Sequence, residues 1–469
     1  MKSSKQKVLN KKFIQYFHIK LSFSILRSDY TKFDLFLLLQ ETKNSIWMKK
    51  PISFILFISV LLALVAFSQN QLTSSTSAQN LDEKIDTFGY KVQPPPAPLE
   101  IQEVVDDYSH WLSEEITASQ TVGAAVAIIY DDQVAFTKCF GVKKAGENDS
   151  IDEHTVFRLA SVSKTITGVL AGILDNEQVL SLDDRVVDYI PGFRLKNPVS
   201  TKNLKVRNLL SHTSGIVPHA YDNMVESKVP MDVIMQRLAE VDVSAQPGQL
   251  YGYQNVMFSL IDTVLRAKTS KTYGELLYEK VLAPYGMTDA STDFLSFKNN
   301  PNKAYPHVKG RSGYWAQKLN DRYYSTAPAA GVNASISDMS NFLMALLKED
   351  DPVLTEDIHR AVFTPQVVSH LSRRYFRNWN RVESKHYGIG WRIVGYKGRK
   401  VAYHGGYVNG YKAEIALCEN EKTGIVFLTN SPNTLATKTV PQYLDLLFEF
   451  QDTRRILTDA EELETTNKS

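Results

Sequence analysis

The chain has 469 residues, 43% of them hydrophobic and 22% charged, a composition that excludes a disordered chain, a short peptide and a small disulfide-stapled scaffold. Its length predicts either several domains of roughly 150 residues or one large domain with an insertion. The formal charge is +2, but residues 1–68 hold 11 of the 53 basic and 3 of the 51 acidic residues, which leaves 42 basic and 48 acidic residues and a net charge of −6 from Gln69 onward, so we expect no nucleic-acid partner.

The segment before residue 69 has the pattern of a secretory signal peptide. Met48 and two lysines precede an uncharged run over residues 51–67, and Ala66 and Ser68 fit the small-residue positions of a cleavage site. We expect a signal peptide over 48–68 and a periplasmic or secreted mature protein. The alternative is an inner-membrane anchor formed by an uncleaved 51–67 segment, which is near the lower length limit for a span. Residues 1–47 are a doubtful extension, because translation is expected to begin at Met48.

Residues 69–99 are polar and end in a proline-rich stretch, which predicts a linker. From residue 100, apolar side chains recur with the 3.6-residue period of an amphipathic helix that reaches residue 116. Residues 122–130 and 133–141, with Asp131 and Asp132 between them, predict a β-hairpin.

Helical patterns then dominate residues 166–385. Strand patterns follow at residues 390–394, 400–404, 413–418 and 424–429, and after them come a helical pattern over 441–450 and a polar tail over 451–469. Strands at both ends with helices between them predict one α/β (α+β) domain over residues 100–450. Its sheet is expected to come from residues 100–165 and 386–450, with 166–385 as a helical insertion. The tail is expected to be solvated.

Ser161 and Lys164 form a Ser-x-x-Lys motif where apolar spacing places the start of a buried helix. Because an α-helix advances about 100° per residue, Lys164 returns to the face of Ser161 one turn later. A serine hydroxyl needs a base, and a lysine whose pKa is lowered from ~10.4 by a desolvated pocket can serve as one. The alternative is a serine N-cap followed by a solvated lysine.

Tyr253 and Asn255 place a phenol and an amide two residues apart on a predicted loop, where both can face one cleft. Sharing a proton with a cationic Lys164 is expected to lower the pKa of Tyr253 from ~10, so that it acts as a base or an acid. The alternatives are a half-buried aromatic side chain and an N-cap at Asn255.

His404, Gly405, Gly406 and Tyr407 end a strand pattern. The glycines permit the backbone of another molecule to approach closely. The N–H of Tyr407 is a candidate oxyanion donor beside the N–H of Ser161. The alternative is a Gly-Gly turn with a solvent-facing histidine.

These three motifs, in this order, resemble those of the penicillin-recognising serine hydrolases, in particular the branch of class C β-lactamases, D-Ala-D-Ala carboxypeptidases, D-aminopeptidases and esterases. Four further segments resemble the same family, at residues 209–215, 284–287, 328–331 and 387–391. The resemblance spans about residues 100–450.

The resemblance implies that Ser161 is the acyl nucleophile, that Lys164 and Tyr253 transfer protons, and that Asn255 holds Lys164 and polar groups of the substrate. The remaining implied substrate-binding residues are His404, Gly405, Gly406 and Tyr407. The division of the base role between Lys164 and Tyr253 is left open, since strongly coupled groups titrate as a unit.

The resemblance also implies an antiparallel five-stranded sheet flanked by helices, a mostly helical region beside it, and an active site in the cleft between them. It implies no metal or organic cofactor. In such a fold Cys139 and Cys418 lie on strands that are not neighbours, so we expect no disulfide between them.

The third motif departs from the Lys-Thr-Gly that binds the substrate carboxylate in related β-lactamases. A histidine with pKa ~6.5 is mostly neutral at pH 7, and Gly405 has no hydroxyl. This favours peptidase or esterase activity over β-lactam hydrolysis. We also expect recognition of anionic substrates to improve as the pH falls toward ~6, and His404→Lys to remove that dependence.

The sequence thus predicts an exported serine hydrolase that acts through an acyl-enzyme on D-amino-acid peptides, esters, amides or β-lactams, cell-wall fragments included. The alternatives are a non-hydrolytic penicillin-binding or scaffold protein of the same fold, and a membrane-anchored protein whose head binds a partner. A basic and aromatic segment from Arg373 to Arg381 fits an anionic ligand or a membrane surface, or else is a solvated loop.

Overall fold

The computed structural model describes residues 84–85, 91–92, 100–371 and 375–466, and the chain divides into two compact units, residues 1–93 and 94–469. In the first unit, β1 (Lys84–Ile85) pairs antiparallel with β2 (Lys91–Val92). The expected signal peptide, the doubtful extension and the rest of the expected linker lie outside the described residues. No helix among the described residues is long and apolar enough to cross a membrane.

The second unit contains an antiparallel sheet of eight strands, in the spatial order β4-β3-β14-β13-β12-β11-β10-β9. Four other strands form two small pairs, β5 with β8 and β6 with β7. In chain order the strands are β3 (Gly123–Tyr130), β4 (Gln133–Gly141), β5 (Phe157–Arg158), β6 (His307–Gly310), β7 (Gly313–Ala316), β8 (Asn333–Ala334), β9 (Val367–Val368), β10 (Val382–Tyr387), β11 (Arg392–Tyr396), β12 (Arg399–Val408), β13 (Tyr411–Cys418) and β14 (Thr423–Thr429).

The α-helices lie before, between and after these strands. They are α1 (Gln102–Ala118), α2 (Ser163–Asn176), α3 (Val186–Tyr189), α4 (Pro198–Asn203), α5 (Val206–Leu210), α6 (Asp222–Glu226), α7 (Met231–Arg237), α8 (Asn255–Thr269), α9 (Tyr273–Leu277), α10 (Phe294–Asn299), α11 (Ala327–Ala330), α12 (Ile336–Leu347), α13 (Glu356–Phe363) and α14 (Ala436–Thr466).

The predicted first helix and hairpin are confirmed. The predicted apolar stripe of α1 is buried throughout. Asp131 and Asp132 adopt left-handed φ angles of 49° and 63°, which is the geometry of a two-residue hairpin turn whose twist matches that of the strands. These local patterns therefore fix one edge of the sheet.

The sheet has an apolar core on each face. Alternate residues of β3 contribute to each core, so that Ala127 packs on one side and Val126 on the other. Helices α1 and α14 cover the Val126 side, where the rings of Tyr108 and Tyr443 meet at 5.7 Å. Helices α2, α8 and α12 belong to the larger core on the other side.

The expected number of five strands is wrong, because β9, β10 and β11 extend the sheet to eight. Strand β10 was hidden by its composition, since four polar residues separate Val382 from Tyr387. Strand β12 continues to Val408 although its pattern predicted an end at residue 404. The insertion is mostly helical but also holds the pairs β6–β7 and β9–β10.

The tail that the sequence predicts to be solvated includes a helical part, because α14 continues from Ala436 to Thr466. Its side chains from Asp452 to Leu457 are exposed, as expected. Asp452 and Arg455 pair with Arg399 and Glu421 of the sheet region, at 2.5 and 3.1 Å. A charged composition thus conceals a helix that rests on the sheet by ion pairs.

Cys139 and Cys418 are not joined by a disulfide, which confirms the prediction. They lie on β4 and β13, and β3 and β14 separate those strands. Three strand spacings of about 4.8 Å exceed the ~7 Å that a bridge allows between Cα atoms.

Candidate active site

Ser161 lies in a strained turn between β5 and α2. A 3-10 helix covers Ala160–Val162 and α2 begins only at Ser163, so the expected start of the helix near Ser161 is two residues too early. Ala160 has a left-handed φ of 50°, which is unfavourable for a residue with a Cβ and is typical of functional sites. The turn brings Ser161 Oγ to 2.8 Å from the Tyr253 hydroxyl.

Lys164 follows in the first turn of α2 and is fully buried. Its Nζ donates to Asn255 Oδ1 at 2.8 Å and to the Ala329 carbonyl at 2.9 Å. The same nitrogen lies 4.6 Å from the centroid of the Tyr253 ring. The structure therefore brings the first two motifs together, with Asn255 as the first residue of α8 and not as its N-cap.

Burial sets the protonation of both groups. It lowers the pKa of Lys164 well below its usual range, and the charge of Arg392 lowers it further. Burial raises the pKa of Tyr253, so the expectation that a cationic lysine depresses the pKa of this phenol is wrong. A neutral amine beside a protonated phenol is the favoured resting state.

His404 is buried, not solvent-facing. Its Nε2 lies 2.7 Å from Arg392 Nη1 and 3.1 Å from the Tyr387 hydroxyl, and its Nδ1 lies 3.0 Å from the Gly405 carbonyl. Because an arginine can only donate, Nε2 is the acceptor and Nδ1 carries the proton.

Burial, with the charges of Arg392 and Lys164, lowers the pKa of His404 well below its usual range. The expectation that His404 gains charge near pH 6 is therefore wrong. With His404 neutral there is no such pH dependence for His404→Lys to remove, and a lysine at this position would place a second cation against Arg392.

The two glycines of the third motif serve opposite faces of β12. A Cβ on Gly406 would lie 2.5 Å from the Leu159 carbonyl and 3.0 Å from Ser161 N, so this glycine lets the strand touch the turn of the nucleophile. A Cβ on Gly405 would lie 2.6 Å from Glu414 Oε2 on the other face. The close approach is thus made by the chain itself, and a threonine has no room at Gly405.

Tyr407 lies at the exposed end of β12, with 62% of its surface accessible. Strand β12 pairs with β13 as far as Val408, but with β11 only as far as Tyr403. One edge of residues 404–408 thus has no strand partner among the described residues. The role of the Tyr407 N–H as an oxyanion donor stays a prediction.

Arg392 is a site residue that the sequence analysis missed. It is 5% exposed, lies in β11 opposite Tyr403, and its guanidinium carbon is 5.4 Å from the centroid of the Tyr253 ring. No ion pair of Arg392 is found within the described residues, and its Nε has no hydrogen-bond partner there. An arginine inside the apolar run of a predicted strand was the available signal.

Asp222 and His219 are also new. Asp222 Oδ2 accepts a hydrogen bond from Asn255 Nδ2 at 3.0 Å and lies 2.8 Å from His219 Nδ1. The His219 ring lies 5.4 Å from the Tyr253 ring. No spacing rule links residue 222 to residue 255, so the sequence held no usable signal.

Three of the four supporting segments contact the motifs. The ring of His212 lies 4.3 Å from that of Tyr253, the Ala329 carbonyl accepts from Lys164, and the Tyr387 hydroxyl reaches His404. The segment at 284–287 instead lines a surface cavity of about 430 Å³ outside the cleft. Most of the segments that resemble the family outside the three motifs thus contact the motif residues directly.

Aromatic side chains of the basic and aromatic segment pack against the core on the Val126 side of the sheet. Phe376 and Trp379 are buried, and the Trp379 ring lies 5.0 Å from that of Tyr403. Arg381 pairs with Glu383 at 3.2 Å, as the solvated-loop reading expects. Its Arg373 and Arg374 lie outside the described residues.

A protein-family model described as Beta-lactamase matches residues 101–448 of the chain. Among solved structures, the chain resembles the octameric penicillin-binding protein homologue from Pyrococcus abyssi, with a TM-score of 0.64 and 20% identity, over 73% of this chain and 77% of that one. At this identity the likeness shows the fold alone.

Curated relatives include Beta-lactamase-like protein 2 of Dictyostelium discoideum, 26% identical over 69% of this chain and 60% of the relative. Unguisins hydrolase ungD' of Aspergillus campestris is 23% identical over 72% of this chain and 64% of the relative. Protein flp of Staphylococcus aureus is 20% identical over 70% and 64%. The match spans less than two thirds of the length of these relatives.

Proposed function

The chain belongs to the β-lactamase family, and on that premise we propose that it is a serine hydrolase that forms an acyl-enzyme on Ser161 and cleaves amide or ester bonds. The observation that carries this proposal is the 2.8 Å hydrogen bond between the Tyr253 hydroxyl and Ser161 Oγ. It puts the nucleophile in contact with a group that can move its proton.

The proton route follows from the protonation states. A neutral Lys164 takes the proton of Tyr253, and Tyr253 takes the proton of Ser161 as Oγ attacks the carbonyl carbon. When the tetrahedral intermediate collapses, Tyr253 returns the proton to the leaving amine or alcohol, and the acyl group stays on Ser161. A water molecule then repeats the sequence, releases the acid and restores the Ser161 hydroxyl.

Two backbone N–H groups are proposed to hold the oxyanion, those of Ser161 and Tyr407. The contact of Gly406 with the backbone of Ser161 supports this assignment, because it sets the end of β12 beside the nucleophile. His404 and Asn255 line the same region, and the substrate extends along the unpaired edge of β12.

We place substrates with a carboxylate near the scissile bond, such as D-amino-acid peptides, ahead of neutral esters. Support comes from Arg392, a buried and permanently charged guanidinium beside His404 that forms no ion pair in the described part of the chain. It supplies the charge that the histidine of the third motif lacks. Because Gly405 cannot carry a threonine, we expect β-lactam hydrolysis to be weak.

Export is proposed on the sequence pattern of residues 48–68 alone. With export, cell-wall peptides and β-lactams are within reach of the site. N-terminal sequencing of the mature protein is expected to begin at Gln69, and any peptide from residues 1–47 would contradict a start at Met48.

The test uses a fluorescent penicillin and the chromogenic ester p-nitrophenyl butyrate. We expect turnover of the ester and a covalent adduct on wild-type protein, read by intact mass, and neither with Ser161→Ala. Ser163→Ala is the matched control: its hydroxyl accepts from Val332 N, away from the nucleophile, so it keeps labelling. Labelling without turnover would favour a non-hydrolytic penicillin-binding protein. The absence of both labelling and turnover would favour a scaffold protein.

A further inference from the structure

Asp222 is linked to the active site indirectly, because it hydrogen bonds to Asn255, which in turn hydrogen bonds to Lys164. The Asn255 amide has two chemically distinct ends. Its Oδ1 accepts from Lys164 Nζ at 2.8 Å, and its Nδ2 donates to Asp222 Oδ2 at 3.0 Å. Asp222 is the first residue of the short helix α6 and its side chain is 18% exposed.

This contact fixes which way the amide points. A carboxylate can only accept, so only the Nδ2 end of Asn255 can face it. The amide oxygen then faces Lys164, whose Nζ keeps N–H groups in its neutral form and donates one of them here. With the amide reversed, its oxygen would face the Asp222 carboxylate, which has no proton to donate, and the hydrogen bond between Asn255 and Asp222 would be lost.

We propose that Asp222 is a positioning residue of the hydrolase, which holds the Asn255 amide in the orientation that binds Lys164 and supplies a negative charge that acts on the lysine against the positive charge of Arg392. This inference rests on the proposed function and deepens it. Asp222 does not touch Ser161 and is not itself a catalytic residue.

The segment that carries Asp222 is tied to the second motif twice. The His219 N–H donates to the Tyr253 carbonyl at 2.8 Å, and the Asp222 side chain accepts from Asn255. His219 and Tyr221 adopt left-handed φ angles of 59° and 64°, an unfavourable conformation that the surrounding contacts must maintain. The carboxylate is therefore held in place, with His219 Nδ1 at 2.8 Å on its outer side.

Two fixed charges act on Lys164 in opposite directions. Burial is the largest cause of the lowered pKa of Lys164. The charge of Arg392 lowers this pKa further, and the charge of Asp222 raises it. The other titratable groups facing the lysine are Tyr253, His212 and His404. Burial holds the phenol protonated and both imidazoles neutral, because it raises the first pKa and lowers the other two well below their usual range. Besides His219, Asp222 faces Tyr253 and Tyr323, and its charge contributes to the raised pKa of each.

The experiment follows kcat and kcat/KM for p-nitrophenyl butyrate across pH in wild type, Asp222→Asn and Arg392→Met. An asparagine at 222 presents either end of its amide to Asn255, so orientation is no longer enforced. We expect kcat to fall roughly tenfold to a hundredfold, the scale of a misplaced catalytic group. The rate rises with pH as Lys164 loses its proton. Removing the anion at 222 should move this rise to lower pH, and removing the cation at 392 should move it to higher pH.

Glu226→Gln is the matched control, because Glu226 lies on the same short helix but contacts Tyr323 instead of Asn255; we expect a wild-type profile. Asp222→Ser serves as a second charge-removing variant if Asp222→Asn does not fold. A rate within twofold of wild type and an unmoved pH profile in the folded variant would overturn the inference alone. Turnover that survives Ser161→Ala, or a wild-type protein inert to both probes, would overturn the proposed function as well.

Discussion

Among the residues that the structure describes, Lys164 has only neutral hydrogen-bond partners, the Asn255 amide oxygen and the Ala329 carbonyl. Neutral acceptors do not compensate a buried charge for its lost hydration, so the neutral amine is favoured. The same burial keeps Tyr253 protonated. At the scale of single residues, the site thus stores its proton on the phenol and keeps the lysine ready to accept it.

We expect Lys164→Ala and Tyr253→Phe each to lower kcat/KM at least ~100-fold, because each removes a positioned proton carrier. Tyr251→Phe is the matched control, since the Tyr251 hydroxyl has no hydrogen-bond partner in the described residues and lies two residues from Tyr253. Ester turnover and the rate of penicillin labelling provide the readouts. A variant that keeps more than a tenth of wild-type activity removes its residue from the mechanism.

A second prediction concerns pH and substrate charge. We expect the ratio of kcat/KM for a D-Ala-D-Ala peptide to that for its C-terminal amide to stay flat from about pH 5.5 to 8, because Arg392 keeps its charge and the pKa of His404 lies well below its usual value. Arg392→Met should lower the ratio about tenfold, the equivalent of ~1.4 kcal/mol. Arg381→Met, on the exposed loop, should not. A ratio that climbs as the pH falls would show that His404 titrates after all.

At the scale of elements, successive residues of β12 face opposite sides of the sheet. Position 406 faces the turn that carries Ser161, and position 405 faces the buried pair formed by Tyr403 and Glu414, whose oxygens are 2.5 Å apart. Glycine is thus required at each position for a different reason.

Gly406→Ala should slow acylation at least ~10-fold, because its Cβ must push the Leu159 carbonyl and the Ser161 backbone apart and so displace the nucleophile. Gly192→Ala is the control, since a Cβ there meets none of the described atoms within 4 Å. The rate of penicillin labelling is measured alongside the melting temperature. Equal labelling rates in the two variants would contradict the close contact.

The Glu414 carboxyl should make stability depend on pH. Burial raises its pKa to about 7, above the ~4.3 of an unfolded chain. Its contribution is therefore fully present below pH ~4.3 and is lost as the pH rises through about 7, by up to ~1.4 kcal/mol per pH unit. Glu414→Gln should remove this decline from denaturant unfolding measured between these values. Parallel curves for wild type and variant would show that Glu414 does not titrate in this range.

At the scale of the whole molecule, what the sequence predicts is what local spacing encodes. The Ser161–Lys164 and Tyr253–Asn255 pairs, α1 and the β3–β4 hairpin all depend on residues a few positions apart. Arg392 and Asp222 are single residues that the strand register and the path of a loop bring close to Lys164. No spacing in the sequence therefore predicts that they belong to the site. Strand β10 and the end of α14 were missed because their polar side chains carry no periodic apolar signal.

The pairing of β3 with β14 has a consequence for synthesis of the chain. Ala124 of β3 lies opposite Thr429 of β14, so two residues that are 305 positions apart in the sequence are neighbours in the sheet. At a synthesis rate of roughly 5–20 residues per second, β14 is made on the order of 15–60 s after β3. During this time the apolar side chains on both faces of β3 are not covered by the complete sheet. Such transiently exposed apolar surface favours aggregation. Because His404 to Tyr407 are also synthesised late, the site around Ser161 is complete only after residue 407 has been made.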